Sequence, residues 1–112
     1  MAGTTWELYD PSTDTFPTHA SAGNDLASPR SMHSAAAFTG GKVLLAGGTD
    51  GSIALNTTEV FDPTAFTLSF SFGAGLQLAR SRSAAAYALA QNVLVLVGGN
   101  AVGPSTEQIT TP

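Results

Sequence analysis

The chain has 112 residues, the size of one ordinary domain, yet only 12 are charged (8 acidic, 4 basic), against 12 Gly, 18 Ala and 25 Ser or Thr. A net charge of −4 and an isoelectric point near 4.7 argue against a nucleic-acid or anionic-membrane surface, which needs clustered Lys and Arg. The absence of cysteine excludes disulfides, thiolate nucleophiles and Cys-ligated zinc.

In chain order, the first element is Glu7-Leu8-Tyr9-Asp10-Pro11, an extended segment stopped by a turn dipeptide. The segment Ser34-Ala35-Ala36-Ala37-Phe38 is ambiguous alone, because alanine favours helix. It is too short for a stable helix, and the run that follows pulls it into a sheet. That run, Val43 to Ala46, is apolar, ends in Gly47-Gly48 and fits a strand buried on both faces. Thr58 to Phe61 leads into Asp62-Pro63, and Phe66, Leu68, Phe70 and Phe72 alternate with Thr67, Ser69 and Ser71 as a half-buried strand.

The later chain restates the earlier one. Glu59-Val60-Phe61-Asp62-Pro63 repeats the first element 52 positions on, and Thr106-Glu107-Gln108-Ile109 repeats it faintly after a further 48. Ser83-Ala84-Ala85-Ala86-Tyr87 repeats the alanine segment at an offset of 49, and Leu94 to Gly99 repeats Val43 to Gly48 at 51. Three motifs recurring in one order at nearly one spacing establish an internal repeat. No segment carries a helical period, so the chain is all-β. The longest uncharged apolar run is one strand long, short of the ~20 residues that span a bilayer. The amino terminus lacks the basic start and apolar stretch of a signal peptide.

The order Arg30, His33 to Phe38, Lys42 to Ala46, Gly47-Gly48 and Glu59 to Pro63 closely resembles the kelch repeat. The resemblance implies four-stranded antiparallel blades of a β-propeller, with the Ser-Ala strand innermost, the strand ending in Gly-Gly second, the Glu-Val-Phe strand third and the Phe-rich strand outermost. Small side chains suit the crowded axis. Two departures stand out: Phe16 and Leu68 replace the tryptophan usual in the outer strand, and the last third-strand copy lacks Asp-Pro. On this reading residues 1–29 hold the third and fourth strands of a first blade (5–9 and 14–17), 30–72 a complete blade, and 80–112 a partial one. About two blades cannot close a ring that needs about four to eight. The expectation is therefore a partial propeller that self-associates, the amino-terminal strands of one copy finishing the blade begun by the carboxy-terminal strands of another, or that forms a piece of a longer propeller.

By the same resemblance, ligands dock on the face formed by loops 49–56 and 100–104 together with 17–30 and 73–82. The binding residues expected there are Arg30, His33, Asp50, Arg80, Arg82 and Asn100, the arginine forks suiting a carboxylate. The bland alternative pairs the arginines with acids such as Asp25, Asp50 or Glu59. His19 and His33 lack companions at metal-ligand spacing, so no metal or other cofactor is expected. Ser34 and Ser83 lack a nucleophile elbow, and the Gly-Gly pairs lack the Lys-Ser/Thr of a phosphate loop. Glu7 and Glu59 read as hydrogen-bond acceptors within or between blades rather than a paired-carboxylate site. Asn56-Thr57-Thr58 fits a glycosylation sequon, a tripeptide common by chance.

Three functions follow from this reading. The first is a non-catalytic module that binds a protein, peptide or glycan, with no nucleic-acid or membrane partner. The second is part of a propeller enzyme acting on sugars. The copper oxidases of this fold are excluded there, because the resemblance would require a cysteine cross-linked to a tyrosine. The third is a remnant without independent activity.

Overall fold

The computed structural model describes residues 3–16, 25–62, 70–100 and 106–110. Among the described residues seven strands form: β1 (Ser34–Ala37), β2 (Val43–Ala46), β3 (Thr58–Phe61), β4 (Phe70–Phe72), β5 (Ala84–Ala88), β6 (Val93–Val97) and β7 (Thr106–Thr110). They build two antiparallel sheets, β1-β2-β3-β4 and β5-β6-β7. A 3-10 turn, Thr39–Gly41, joins β1 to β2, with Gly40 in the left-handed region at φ +81°. No helix among the described residues is long and apolar enough to cross a membrane.

The alanine segments are strands because each is paired along its length with an apolar neighbour: Ala35 faces Leu45, and Ala85 faces Leu96. Alanine's helix preference amounts to tenths of a kcal/mol per residue, less than the ladder and packing it would forgo. At 5–9 and 14–17, where the sequence predicts strands, the described residues form no ladder, and the bridges in this stretch are the isolated Gly3–Arg30 and Asp10–Thr15. Asp10 and Thr15 close a tight turn in which the Asp10 carboxylate accepts the Ser12 N–H at 2.8 Å, and one bridge does not make a ladder. Of the Phe-rich strand, Phe66 to Ser69 and Pro17 of the earlier copy lie outside the described residues, and so do residues 101–105.

The sheets stack face to face. Phe38, Leu44 and Ala46 of the first meet Leu94, Leu96 and Ile109 of the second, with Leu76 between and Ala36, Val60, Ala85 and Tyr87 packed around them. Burying each leucine contributes about 1.5–3 kcal/mol, so this layer is the main hydrophobic support of the fold.

The registers show a slip that the motif copies hide. Ser34 pairs with Ala46, but the residue opposite Val97, the counterpart of Ala46, is Ala84 rather than Ser83. The connection after Ala37 runs over residues 38–42, whereas the one after its counterpart Tyr87 runs over 88–93. That extra residue moves the serines and aromatics onto opposed faces. Ser34 and Ser83 therefore meet across the two sheets, their hydroxyl oxygens 2.6 Å apart, and the Ser34 hydroxyl also reaches the Ser83 carbonyl at 2.6 Å. The Phe38 and Tyr87 rings meet likewise, with centroids 6.4 Å apart. Only small residues allow β1 and β5 to approach this closely.

Candidate loop-face binding site

The double glycines build the end of the molecule where the loops gather. Gly48 donates its N–H to the Arg80 carbonyl at 2.8 Å, and the Gly48 carbonyl accepts the Leu55 N–H at 2.8 Å. Thr49 and Ser31 exchange backbone bonds at 2.9 and 3.0 Å, Arg82 donates to the Met32 carbonyl at 2.8 Å, and Asn100 donates to the Ser81 carbonyl at 2.8 Å. These bonds bring residues 31–33, 47–57, 80–82 and 98–100 to one end of the two sheets.

The structure sets Arg30 and Arg80 beneath this face rather than on it, at 4% and 0% exposure. Arg30 spends all five guanidinium donors inside the protein. Nε and Nη2 bind one Glu59 oxygen at 3.1 and 2.8 Å, Nη1 binds the Gly47 and Thr57 carbonyls at 2.8 and 3.2 Å, and Nη2 also binds the Thr57 hydroxyl at 3.1 Å. The other Glu59 oxygen accepts the Ala27 N–H at 2.7 Å. Both side chains of this ion pair are fully buried, and complete hydrogen bonding is what makes such burial tolerable. The bland alternative for Arg30, pairing with Glu59, is the geometry found. In the second sheet Arg80 takes the corresponding position, its Nη1 donating to the Gly98 carbonyl at 3.0 Å as Arg30 does to Gly47.

Above the buried arginines the exposed rim comprises Met32, Asp50, Ile53, Arg82 and Asn100. Arg82 directs its Nε–H at the Met32 sulfur, 3.1 Å away, and both residues hold positive φ, +59° and +54°. Left-handed backbone at non-glycine residues costs of order 1–3 kcal/mol and concentrates at working surfaces. Met32 escaped the sequence reading, since neither its type nor its neighbours signal that conformation. Asp50 folds its loop by accepting the Ser52 and Ile53 N–H groups at 2.8 and 2.9 Å. Those amides, Ile53 first and Ser52 second, hold its carboxyl below the usual carboxylate range. Arg82 and Asn100 are thus joined through Ser81, and Asp50 approaches Met32 through the Thr49–Ser31 bridge.

His33 stands apart from this rim. It is half-buried against Trp6, Leu8, Leu45 and Phe61, and its Nδ1 is buried without a hydrogen-bond partner. Burial first, and the Arg30 charge second, push its pKa below the ordinary 6.5, with Glu59 opposing. The folded protein therefore resists a proton that the unfolded chain accepts near pH 6.5. Stability is expected to fall as pH drops from 6.5 toward the lower folded value and to be fully present above 6.5. Urea titrations across that range check this, and His33→Asn should flatten the slope. An unchanged slope in the variant would assign the effect elsewhere.

Among the described residues no group of three or more His, Asp or Glu is placed to hold a metal ion. A family model described as the kelch motif matches residues 29–75. Among solved structures, one titled a novel fungal alcohol oxidase with catalytic diversity among the AA5 family, in complex with copper, matches with a TM-score of 0.67 at 14% identity. The match covers 91% of this chain and 21% of that one, so this chain spans about a fifth of the oxidase and the likeness is one of fold. No curated protein sequence matches the chain.

Proposed function

We propose that this chain, which carries a kelch repeat at residues 29–75 within an all-β partial propeller, is a binding module whose loop face recognises a protein, peptide or glycan. The observation that carries the reading is the exposed rim around the strained Met32–Arg82 pair, seated above buried Arg80 and above Arg30, whose five donors are all bonded inside the protein. Rigid support beneath exposed mixed-polarity loops is the arrangement binding surfaces use. Arg82 offers a fork to an acidic group, while Met32 and Ile53 offer apolar contact. Catalysis is not part of this reading. The chain has no cysteine for the cross-link that its resemblance to copper oxidases would require.

Glycan and peptide arrays test it, comparing wild type with Arg82→Ala and Asp50→Ala. Both side chains are exposed and both sheets should fold in either variant; Asp50→Ala also releases the 50–53 turn, and at least a tenfold loss of signal is expected from Arg82→Ala, about 1.4 kcal/mol or more. Equal binding by wild type and both variants would remove the loop face from the site.

Self-association is the second reading, favoured by the outward face of the β5–β7 sheet. There Val97 is 53% exposed and Ala84 and Ala86 are exposed beside it. Apolar sheet faces left in water mark interaction surfaces.

A further inference from the structure

We propose that the face of the β1–β4 sheet bearing Val43, Leu45 and Phe61, which residues 5–8 of the same chain partly cover, is the seat for the outward face of the β5–β7 sheet of a second copy of this chain. The inference rests on the self-association reading and names the surfaces that meet.

The chain already makes this interface once. The side of the first sheet bearing Ser34, Leu44 and Ala46 covers the side of the second bearing Ser83, Leu94, Leu96 and Ile109. The registers put the two sheets in correspondence: Ala46 lies between Ser34 and Thr58 as Val97 lies between Ala84 and Thr106. Leu45 lies between Ala35 and Glu59 as Leu96 lies between Ala85 and Glu107. Ala84, Val95 and Val97 thus occupy, on the second sheet, the positions of the covered face of the first. Val43, Leu45 and Phe61 occupy, on the first, the positions of Leu94, Leu96 and Ile109. Each half of the interface is thus repeated in register position on an outer side, with apolar residues at the central places.

The seat is partly open. A cavity of about 310 Å³ lies between the first sheet and residues 5–8, lined by Trp6, Leu8, His33, Val43, Leu45 and Phe61. Charge does not oppose docking, because Glu59, the acid on this face, is neutralised by Arg30. Residues 5–9 and β7 both carry the third-strand pattern, with Glu7 and Glu107 in matching places, so one must yield at the joint. Residues 3–9 join no strand ladder, and their contacts include Leu26 N–H to Thr4, Arg30 N–H to Gly3 and the Trp6–Phe61 ring contact at 5.3 Å. β7 is fixed to β6 along five register pairs. The incoming sheet therefore displaces residues 5–9. Because the joint uses two different faces, it is head-to-tail, and it closes into a ring when the rotation per copy divides a full turn.

Ser34 and Ser83 supply the test. Their hydroxyls touch within the chain, and their counterparts across the joint are Ala84 of one copy and His33 of the next. In a single chain those two residues lie on opposite outer faces, and the chain has no native cysteine, so a His33→Cys/Ala84→Cys disulfide can form only between copies. Native mass spectrometry of wild type is expected to show an oligomer. After oxidation the double variant should run as a covalent ladder ending at that oligomer, and an equal mixture of the single variants should give a dimer that neither gives alone. Val97→Lys, a change at an exposed position, should reduce the mass to that of one chain with an unchanged circular dichroism spectrum. A wild-type oligomer without cross-links beyond those of the single variants, or one untouched by Val97→Lys, overturns this joint and leaves self-association standing. A wild-type monomer overturns both.

Discussion

Arg30→Ala is expected to lower the free energy of unfolding by about 3–5 kcal/mol, the usual cost of removing one partner of a buried ion pair. The loss is large because of what stays behind. Glu59 remains wholly buried with one oxygen on the Ala27 N–H, and the other loses the charge that compensated it. The Gly47 and Thr57 carbonyls lose their Arg30 donors at the same time. Arg30→Lys should recover only part of the stability, since an ammonium has three donors and no planar fork to divide among a carboxylate and two carbonyls. Replacing both partners by apolar residues, Arg30→Met with Glu59→Leu, should cost much less than the alanine variant, because no charge is then stranded. Urea midpoints at constant m-value measure all three. An Arg30→Ala loss below about 1 kcal/mol would show that water reaches Glu59 and that the pair is peripheral.

The same burial is why the sequence alone places Arg30 and Arg80 on the loop face while the structure sets them beneath it. An arginine beside a loop is ordinarily solvated, and what buries Arg30 is Glu59, a residue 29 positions away on another strand. Local pattern carries no record of that distance. By contrast, Val43 to Ala46 is legible because a strand covered on both faces must be apolar throughout, whatever surrounds it, whereas Val93 to Val97 carries the same pattern with one face turned outward at Val97. The motif copies, so useful for finding the repeat, also misled. Ser34 and Ser83 align by identity at an offset of 49, yet the ladder aligns Ser34 with Ala84, because pairing is set by the connection to the next strand and not by resemblance. The left-handed Met32 and Arg82 had no signal at all, since the conformation is imposed by the bonds each makes to neighbouring loops and not by residue type.

The Gly-Gly pair is legible as a strand end, the structure shows close packing there, and Gly47→Ala turns that into a number. Gly47 holds φ +66°, where a Cβ costs roughly 1–2 kcal/mol. A Cβ there would also stand 2.4 Å from the Arg80 carbonyl oxygen, a backbone atom already fixed by the Gly48 N–H. Backbone cannot rotate away as a side chain can, so overpacking adds about 1–3 kcal/mol, for a total loss of about 2–5. The matching position in the second sheet separates the two causes. Gly98 holds φ +70°, yet a Cβ there meets nothing within 4 Å. Gly98→Ala should therefore show the conformational cost alone in dilute protein, and the difference between the variants measures how tightly the second sheet is seated on the first. If copies join as proposed, the carbonyl that Gly98 then meets is that of Arg30 in the next copy. Its substitution should grow more costly as protein concentration rises, while the Gly47→Ala cost stays constant. Equal losses for the two variants in dilute protein would mean that the Arg80 carbonyl gives way, and that the sheets are not locked at their glycine ends.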